Sequence, residues 1–409
     1  MPKISLRKLP YPYRAALAIC SDIDNTASSE IFLELMKFLN TEQMTRLGKG
    51  LGLEIGSSCW LYNGTSFPQL TYFEGLSDKP SAFAARCREL WRSGHIDTLH
   101  TYGDFDEGGF KREYAEKGLA ELGRHGARLP VWVDHGNWNN LQNLGRFDFQ
   151  FGADPAQEAY HFDLLQAYGV RYIWSGRMTH VLGQDASRTL SIRVKNLIQQ
   201  WLLRTKYRHY HPSLLDLSNR LCMVSRLQDD RLVWDFQRFV NLWGREQVMD
   251  IFDLGRQISP RNMRRLIRNR GLLVVYTSMC RGLYTPDQFP SALRRALQVV
   301  AELSRAGELL VTTTSRLLRW YEISRLSWEV HRVDGRLLIQ LSPTLTVLDQ
   351  PLQLTPWHLQ GLTFYCGQPA NVRVLFNGRE LPVVCNPPDH THQPSVSIPW
   401  QKLEYPDDL

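Results

Sequence analysis

The 409-residue chain is 43% hydrophobic and 22% charged, with 12 tryptophans and a formal charge of +7. It is too long for one ordinary core, so a large domain followed by a smaller one is expected. The balance is that of a folded globular protein, no nucleic-acid recognition module accompanies the basic segments, and no apolar run approaches the length of a membrane span.

The seven cysteines, at 20, 59, 87, 222, 280, 366 and 385, are odd in number and scattered, with no C-x-x-C pair. That usage fits a reducing compartment. The N-terminal "MPKISLRKLPYPYRAALAIC" has basic residues but no sustained apolar stretch of signal-peptide type. Cytoplasmic residence is therefore the expectation. Positive charge concentrates in "RVKNLIQQWLLRTKYRHYH" (193–211) and "RNMRRLIRNR" (261–270). These segments read as solvated helix faces or, alternatively, as surfaces for an anionic glycan, a nucleotide- or lipid-linked sugar, or peripheral contact with a membrane.

In chain order, the first predicted strand is "AALAICSDI". It ends on Asp22 and Asp24, which residue alternation places on one side of a strand, where a positive group must relieve their crowding. A helix in "SAFAARCRELWRSG" leads to the strand "IDTLHTY", where His100 and Asp104 stand four apart. "FKREYAEKGLAELGRHG" reads as the next helix, and "LPVWVDH" as a strand finishing on Asp134 and His135. "FDFQFGA", "VRYIWSG", "GLLVVYTS" and "ELLVTTT" are further predicted strands, with helices in "PAQEAYHFDLLQAYG" and "PSALRRALQVVAELSRAG". Strand followed by helix, repeated, predicts a mainly parallel sheet. From residue 326 the pattern alternates, with "DG" and "NG" at hairpin positions, predicting an antiparallel β-sandwich over 326–409 after an α/β domain over 1–325.

In parallel α/β folds chemistry gathers where strands run into their following loops. Each acid at such a place has a structural explanation as a helix cap or turn former, Asp24 before Asn25, Thr26 and Ser28 included. Separate caps do not explain why three successive units carry carboxylate and imidazole at the same end. A divalent metal site needs that convergence.

These residues resemble a family. "SGHIDTLHTYGDF" is similar to the second motif of the NodB-type polysaccharide deacetylases, and "CSDID" to their first motif, in a variant with one residue between the two acids. "GLLVVYTSM" and "ELLVTTTSRLLRW" look like the last two strands of that family's distorted (β/α) barrel. The resemblance implies Asp22 as general base and Asp24 and His100 as metal ligands. The second-motif histidine falls on Asp104, making that residue the implied third ligand, with His135 as the alternative. It also implies zinc, with cobalt, nickel or manganese as substitutes, and removal of an N-acyl group from an amino sugar of a polysaccharide or a lipid- or nucleotide-linked precursor. No Arg-x-Pro-Tyr motif follows, and Ser278 stands where a late histidine is expected. The proton donor then falls to His135 or His180. Trp138, Asn139, Trp174, Arg177 and His180 are the residues expected to line a sugar site. Two other readings stand beside this one: a catalytically degenerate carbohydrate-binding or scaffold unit, and a glycoside hydrolase pairing Asp22 with Asp134 or Glu158.

Overall fold

The computed structural model describes residues 4–26, 28–136, 139–145, 151–186, 194, 197–198, 201, 219–239 and 251–406. Most of the basic segment 193–211 lies outside them, as do Asn137 and Trp138. The centre is a nine-stranded sheet of β1 (Ala15–Ser21), β2 (Gly56–Cys59), β3 (Ile96–His100), β4 (Val131–Val133), β5 (Tyr172–Trp174), β6 (Cys222–Arg226), β7 (Leu232–Phe236), β8 (Leu272–Thr277) and β9 (Leu309–Thr312). Its order is β6-β7-β5-β4-β3-β2-β1-β8, with β9 also on β1. Every pairing is parallel except that of β6 with β7.

β1 explains why parallel strands read as continuous apolar runs. All seven of its residues are buried, but successive side chains enter different cores. Ala15, Leu17 and Ile19 face one cluster, Ala16 and Ala18 the other. β1 also divides one of its edges, with β9 pairing along Ala15–Ala18 and β2 along Cys20–Ser21.

The first cluster packs the sheet against α1 (Ser29–Asn40), α2 (Ala84–Ser93), α3 (Arg112–Arg124), α4 (Phe162–Tyr168), α5 (Ile251–Gln257), α6 (Pro260–Asn269) and α7 (Ser291–Arg305). The Ser28 hydroxyl caps α1 by accepting the Ile31 N–H at 3.3 Å, which frees Asp24 from that duty. α2 ends on Gly94 at φ 78°, a left-handed conformation that glycine adopts without a Cβ penalty. The strand expected at 147–153 differs where it is described: Phe151–Ala153 form a 3-10 turn, while 146–150 lie outside the described residues.

The second cluster joins the other face of the sheet to α8 (Thr314–Ile323) and to the C-terminal strands. Those strands are β10 (Trp328–Val333), β11 (Arg336–Leu341), β12 (Thr344–Val347), β13 (Gln350–Gln353), β14 (Thr363–Tyr365), β15 (Val372–Phe376), β16 (Arg379–Glu380), β17 (Val384–Asn386) and β18 (Ser395–Ser397). β10-β11-β15-β16 form one sheet, and Ser5–Leu6 with β14-β18-β17 form another. The first is not purely antiparallel as expected, because β11 and β15 run parallel across the β12–β14 excursion. Asp334–Gly335 and Asn377–Gly378 turn their hairpins with positive φ at both positions.

Beyond β7, Arg238–Phe239 pair with Met178–Thr179, and Gln184 exchanges backbone hydrogen bonds of 2.7 and 2.8 Å with Leu272 of β8. Arg238–Phe239 also lie against β8. All seven cysteines are free, and no helix among the described residues is long and apolar enough to cross a membrane.

Candidate metal centre

The carboxyl ends of the parallel strands bring the side chains together. β1 runs into Asp22 and Asp24, β3 ends on His100, β4 runs into Asp134 and His135, and β8 into Ser278. Asp24 Oδ1 lies 3.1 Å from His100 Nδ1, and His100 Nε2 lies 3.1 Å from His135 Nδ1. Asp24, His100 and His135 present ligand atoms that all lie within 4.8 Å of one another. These three residues form a group able to hold a metal ion.

The arrangement of the first two atoms is informative. Asp24 Oδ1 and His100 Nδ1 are buried, face each other closely, and neither makes a hydrogen bond. Each is a ligand-type atom, a carboxylate oxygen and an imidazole nitrogen, that meets the other only as an ion-pair contact. A cation approached by both would take up lone pairs that no hydrogen bond uses. The other oxygen of Asp24 is already fixed, accepting the Ser278 hydroxyl at 2.6 Å. Trp60 donates its indole N–H to the His100 carbonyl, and its ring packs 5.5 Å from His100 and 5.0 Å from His135. An imidazole so walled in has little rotamer freedom.

Electrostatics follow from this packing. Burial opposes ionisation of Asp24, but His100, His135 and the Ser278 hydroxyl outweigh it and hold the carboxyl below its ordinary range. Burial works against a charged His100, yet Asp22 and Asp24 raise its pKa. His135 goes the other way, lowered by burial and by His100 beside it.

Asp104 does not join the first group. Its carboxylate accepts from the Gln69 amide and from the Asp106 N–H, and with Asp106 and His135 it forms a second group. His135 belongs to both, its Nε2 lying 3.6 Å from Asp106 Oδ2. Asp106 was not singled out in the sequence, although "GDFDEGG" repeats the Asp-x-Asp spacing of "SDID".

Asp22 is held by a residue that the sequence reading missed. Arg238, fully buried, donates to its two oxygens at 3.0 and 3.3 Å. The guanidinium lies 4.2 Å from the Trp174 ring centroid and 4.1 Å from that of Tyr276. Trp174 is thus buried against an arginine, not open to a sugar. Arg177 is likewise buried, donating to Asp235, which also accepts the Ser175 hydroxyl at 2.6 Å. His180 is half-buried and outside both metal-capable groups, Asn139 is exposed, and Trp138 lies outside the described residues. Asp134 is engaged internally, accepting from the Trp132 indole at 2.8 Å and from the Leu144 and Gly145 amides at 3.0 and 3.1 Å.

No protein-family model matches the chain, and no curated protein matches it. The chemistry of the cluster is read from its own residues.

Proposed function

We propose that the chain is a metal-dependent hydrolase that removes an N-acyl group from an amino sugar of a polysaccharide or its precursor, on a distorted barrel of the polysaccharide deacetylase type. The observation that carries the metal part is the convergence of Asp24 Oδ1, His100 Nδ1 3.1 Å from it, and His135, whose ligand atoms all lie within 4.8 Å of one another. Asp24, His100 and His135 would hold the ion, in place of the Asp24, His100 and Asp104 set that the motif alone implies. One carboxylate and two imidazoles suit zinc well, with cobalt, nickel or manganese able to substitute. Support for the barrel comes from the Gln184–Leu272 exchange and the Met178–Thr179 pairing with Arg238–Phe239, which bring segments that follow β5 and β7 against β8.

When bound, a divalent ion supplies a Lewis acid for an acyl carbonyl and a supply of deprotonated water near neutral pH. The protein's own residues do the rest. Ser278 holds one oxygen of Asp24 and leaves the other facing the cluster. Arg238 fixes the Asp22 carboxylate, which in this reading accepts the proton of the attacking water. Two hydrogen bonds to Arg238 and a 3.4 Å contact from the Cys20 thiol leave lone pairs on that carboxylate for a further proton.

The test is acetate release from a panel of N-acetylated sugar donors by metal-loaded protein, with and without a chelator. Release that a chelator stops and added zinc restores supports the reading. Metal-bound protein that releases no acyl group from any donor overturns the substrate assignment while leaving the metal centre standing.

A further inference from the structure

A second unusual charge lies at the other end of the sheet. Arg319, on the buried helix α8, is 4% exposed, and both of its terminal nitrogens are buried without a hydrogen-bond partner. At neutral pH this is a cation with bare donors. Trp357, from the loop before β14, lies 3.3 Å from the guanidinium carbon. That stack covers a face of the ion; the N–H groups point outward in its plane and receive nothing from it.

The surroundings add positive charge. Arg316, one helical turn earlier, is neutralised by Glu54, whose carboxylate also takes the Thr312 hydroxyl and the Leu403 N–H. Arg171, immediately before β5, has a buried bare Nε and reaches Glu322 only at 3.5 Å. Burial and then Arg316 push the Arg319 pKa down to about 9, with Tyr172 and Glu54 opposing them and Arg171 adding to the fall. His358, beside Trp357, is lowered to about 4 by burial and by Arg319, Arg171 and Arg128. Glu54 is taken by Arg316, and Glu322, whose oxygens are buried without a hydrogen bond, reaches Arg171 only at 3.5 Å; two carboxylates among Arg171, Arg316 and Arg319 leave one positive charge over. A buried, unpaired charge costs several kcal/mol, more than one aromatic stack returns.

We infer that Arg319, with Arg171 beside it and Trp357 as its roof, binds a small oxyanion of phosphate or sulfate type. A planar guanidinium whose buried terminal nitrogens have no protein partner is matched by two oxygens of such an anion in a bidentate pair. With Arg319 only 4% exposed, the ligand is a free inorganic ion and not the phosphate of a larger ester. The site lies where β5 begins, opposite the strand ends that carry Asp24 and His100, so it is separate from the candidate metal centre. Its place between α8 and the loop carrying Trp357 makes it a clasp between the sheet and the C-terminal strands.

The experiment is calorimetric titration of the full chain with sodium phosphate in a chloride buffer of constant ionic strength, with thermal unfolding followed in parallel. The unaltered protein should bind one phosphate saturably and melt higher as phosphate rises, with sulfate equivalent and glycerol phosphate without effect. Arg319→Met should weaken phosphate binding at least tenfold. Should that variant not fold, Trp357→Leu, at a half-exposed position, serves instead and should weaken binding severalfold. No saturable phosphate binding by the unaltered protein would overturn the inference. So would equal binding by Arg319→Met, or, if that variant does not fold, by Trp357→Leu. Binding of glycerol phosphate as tight as that of phosphate would overturn the assignment to a free ion.

Discussion

The pair of Asp22 and Arg238 sets the energetics of the site at the level of single residues. The guanidinium is fully buried and the carboxylate nearly so. Deleting one partner strands the other charge, so Arg238→Met should cost about 3–5 kcal/mol in urea unfolding. Asp22→Asn keeps the shape and removes the base, while leaving the buried Arg238 charge without its carboxylate. If Asp22 takes the water's proton, this variant should retain its metal and fall about 10²–10⁴-fold in kcat. An Asp22→Asn protein with undiminished turnover would remove that residue from the mechanism.

Asp134 provides a test in pH. Burial raises its pKa from 3.8 to about 6 against the pull of its three N–H donors. A carboxyl with a raised folded-state pKa holds its proton more tightly folded than unfolded. Its contribution to stability is therefore present at low pH and declines as pH climbs from about 4 to 6. Relative to Asp134→Asn, the unaltered protein should lose up to about 3 kcal/mol across that window, measured by urea unfolding at pH 4 and pH 7. Parallel stability curves for the two proteins would contradict the raised pKa.

At the scale of elements, the turn after β4 carries the most strain-sensitive position near the cluster. Gly136 sits at φ +74°, and a Cβ there would come 1.6 Å from Asp106 Oδ1. Gly136→Ala should destabilise the fold by about 1–3 kcal/mol and displace Asp106 from His135, which thermal unfolding and the crystal structure of the variant would register. The elements differ in how legible they are. β1, β5, β8 and β9 are apolar runs because both of their faces are buried, and that pattern announces them. β2 is "GSSC", four small residues in a strand where Ser57 donates to the Ser21 carbonyl at 2.9 Å. Such a strand is recognised only from its neighbours. The β6–β7 hairpin turns on Gln228–Asp229, with φ +64° at Asp230 after them, a turn without the glycine that marks the later ones. The same limit governs the site. Asp24 and His100 stand in short motifs at strand ends, whereas Arg238 meets Asp22 across 216 positions, a pairing that no local spacing encodes.

At the scale of the whole molecule, the C-terminal strands are part of the sheet's second core. Ala16, Tyr172, Trp320, Ile339, Phe364 and Val374 share one apolar cluster, and Ser5–Leu6 hydrogen-bonds to β14. A chain ending at residue 325 exposes that face and leaves the N-terminal strand unpaired. It should lose the cooperative unfolding transition and the near-ultraviolet circular dichroism of the full chain. Retention of both would mean that the sheet is closed without its C-terminal cover.

The most direct test is titration of metal-stripped protein with cobalt(II), followed by its visible spectrum, with Asp24→Ala, His100→Ala and Asp104→Ala alongside. One ion per chain should bind in a low-symmetry site, disappear with Asp24→Ala and His100→Ala, and persist with Asp104→Ala. An unaltered protein that binds no ion, or an Asp24→Ala protein that binds it equally well, would contradict the metal centre.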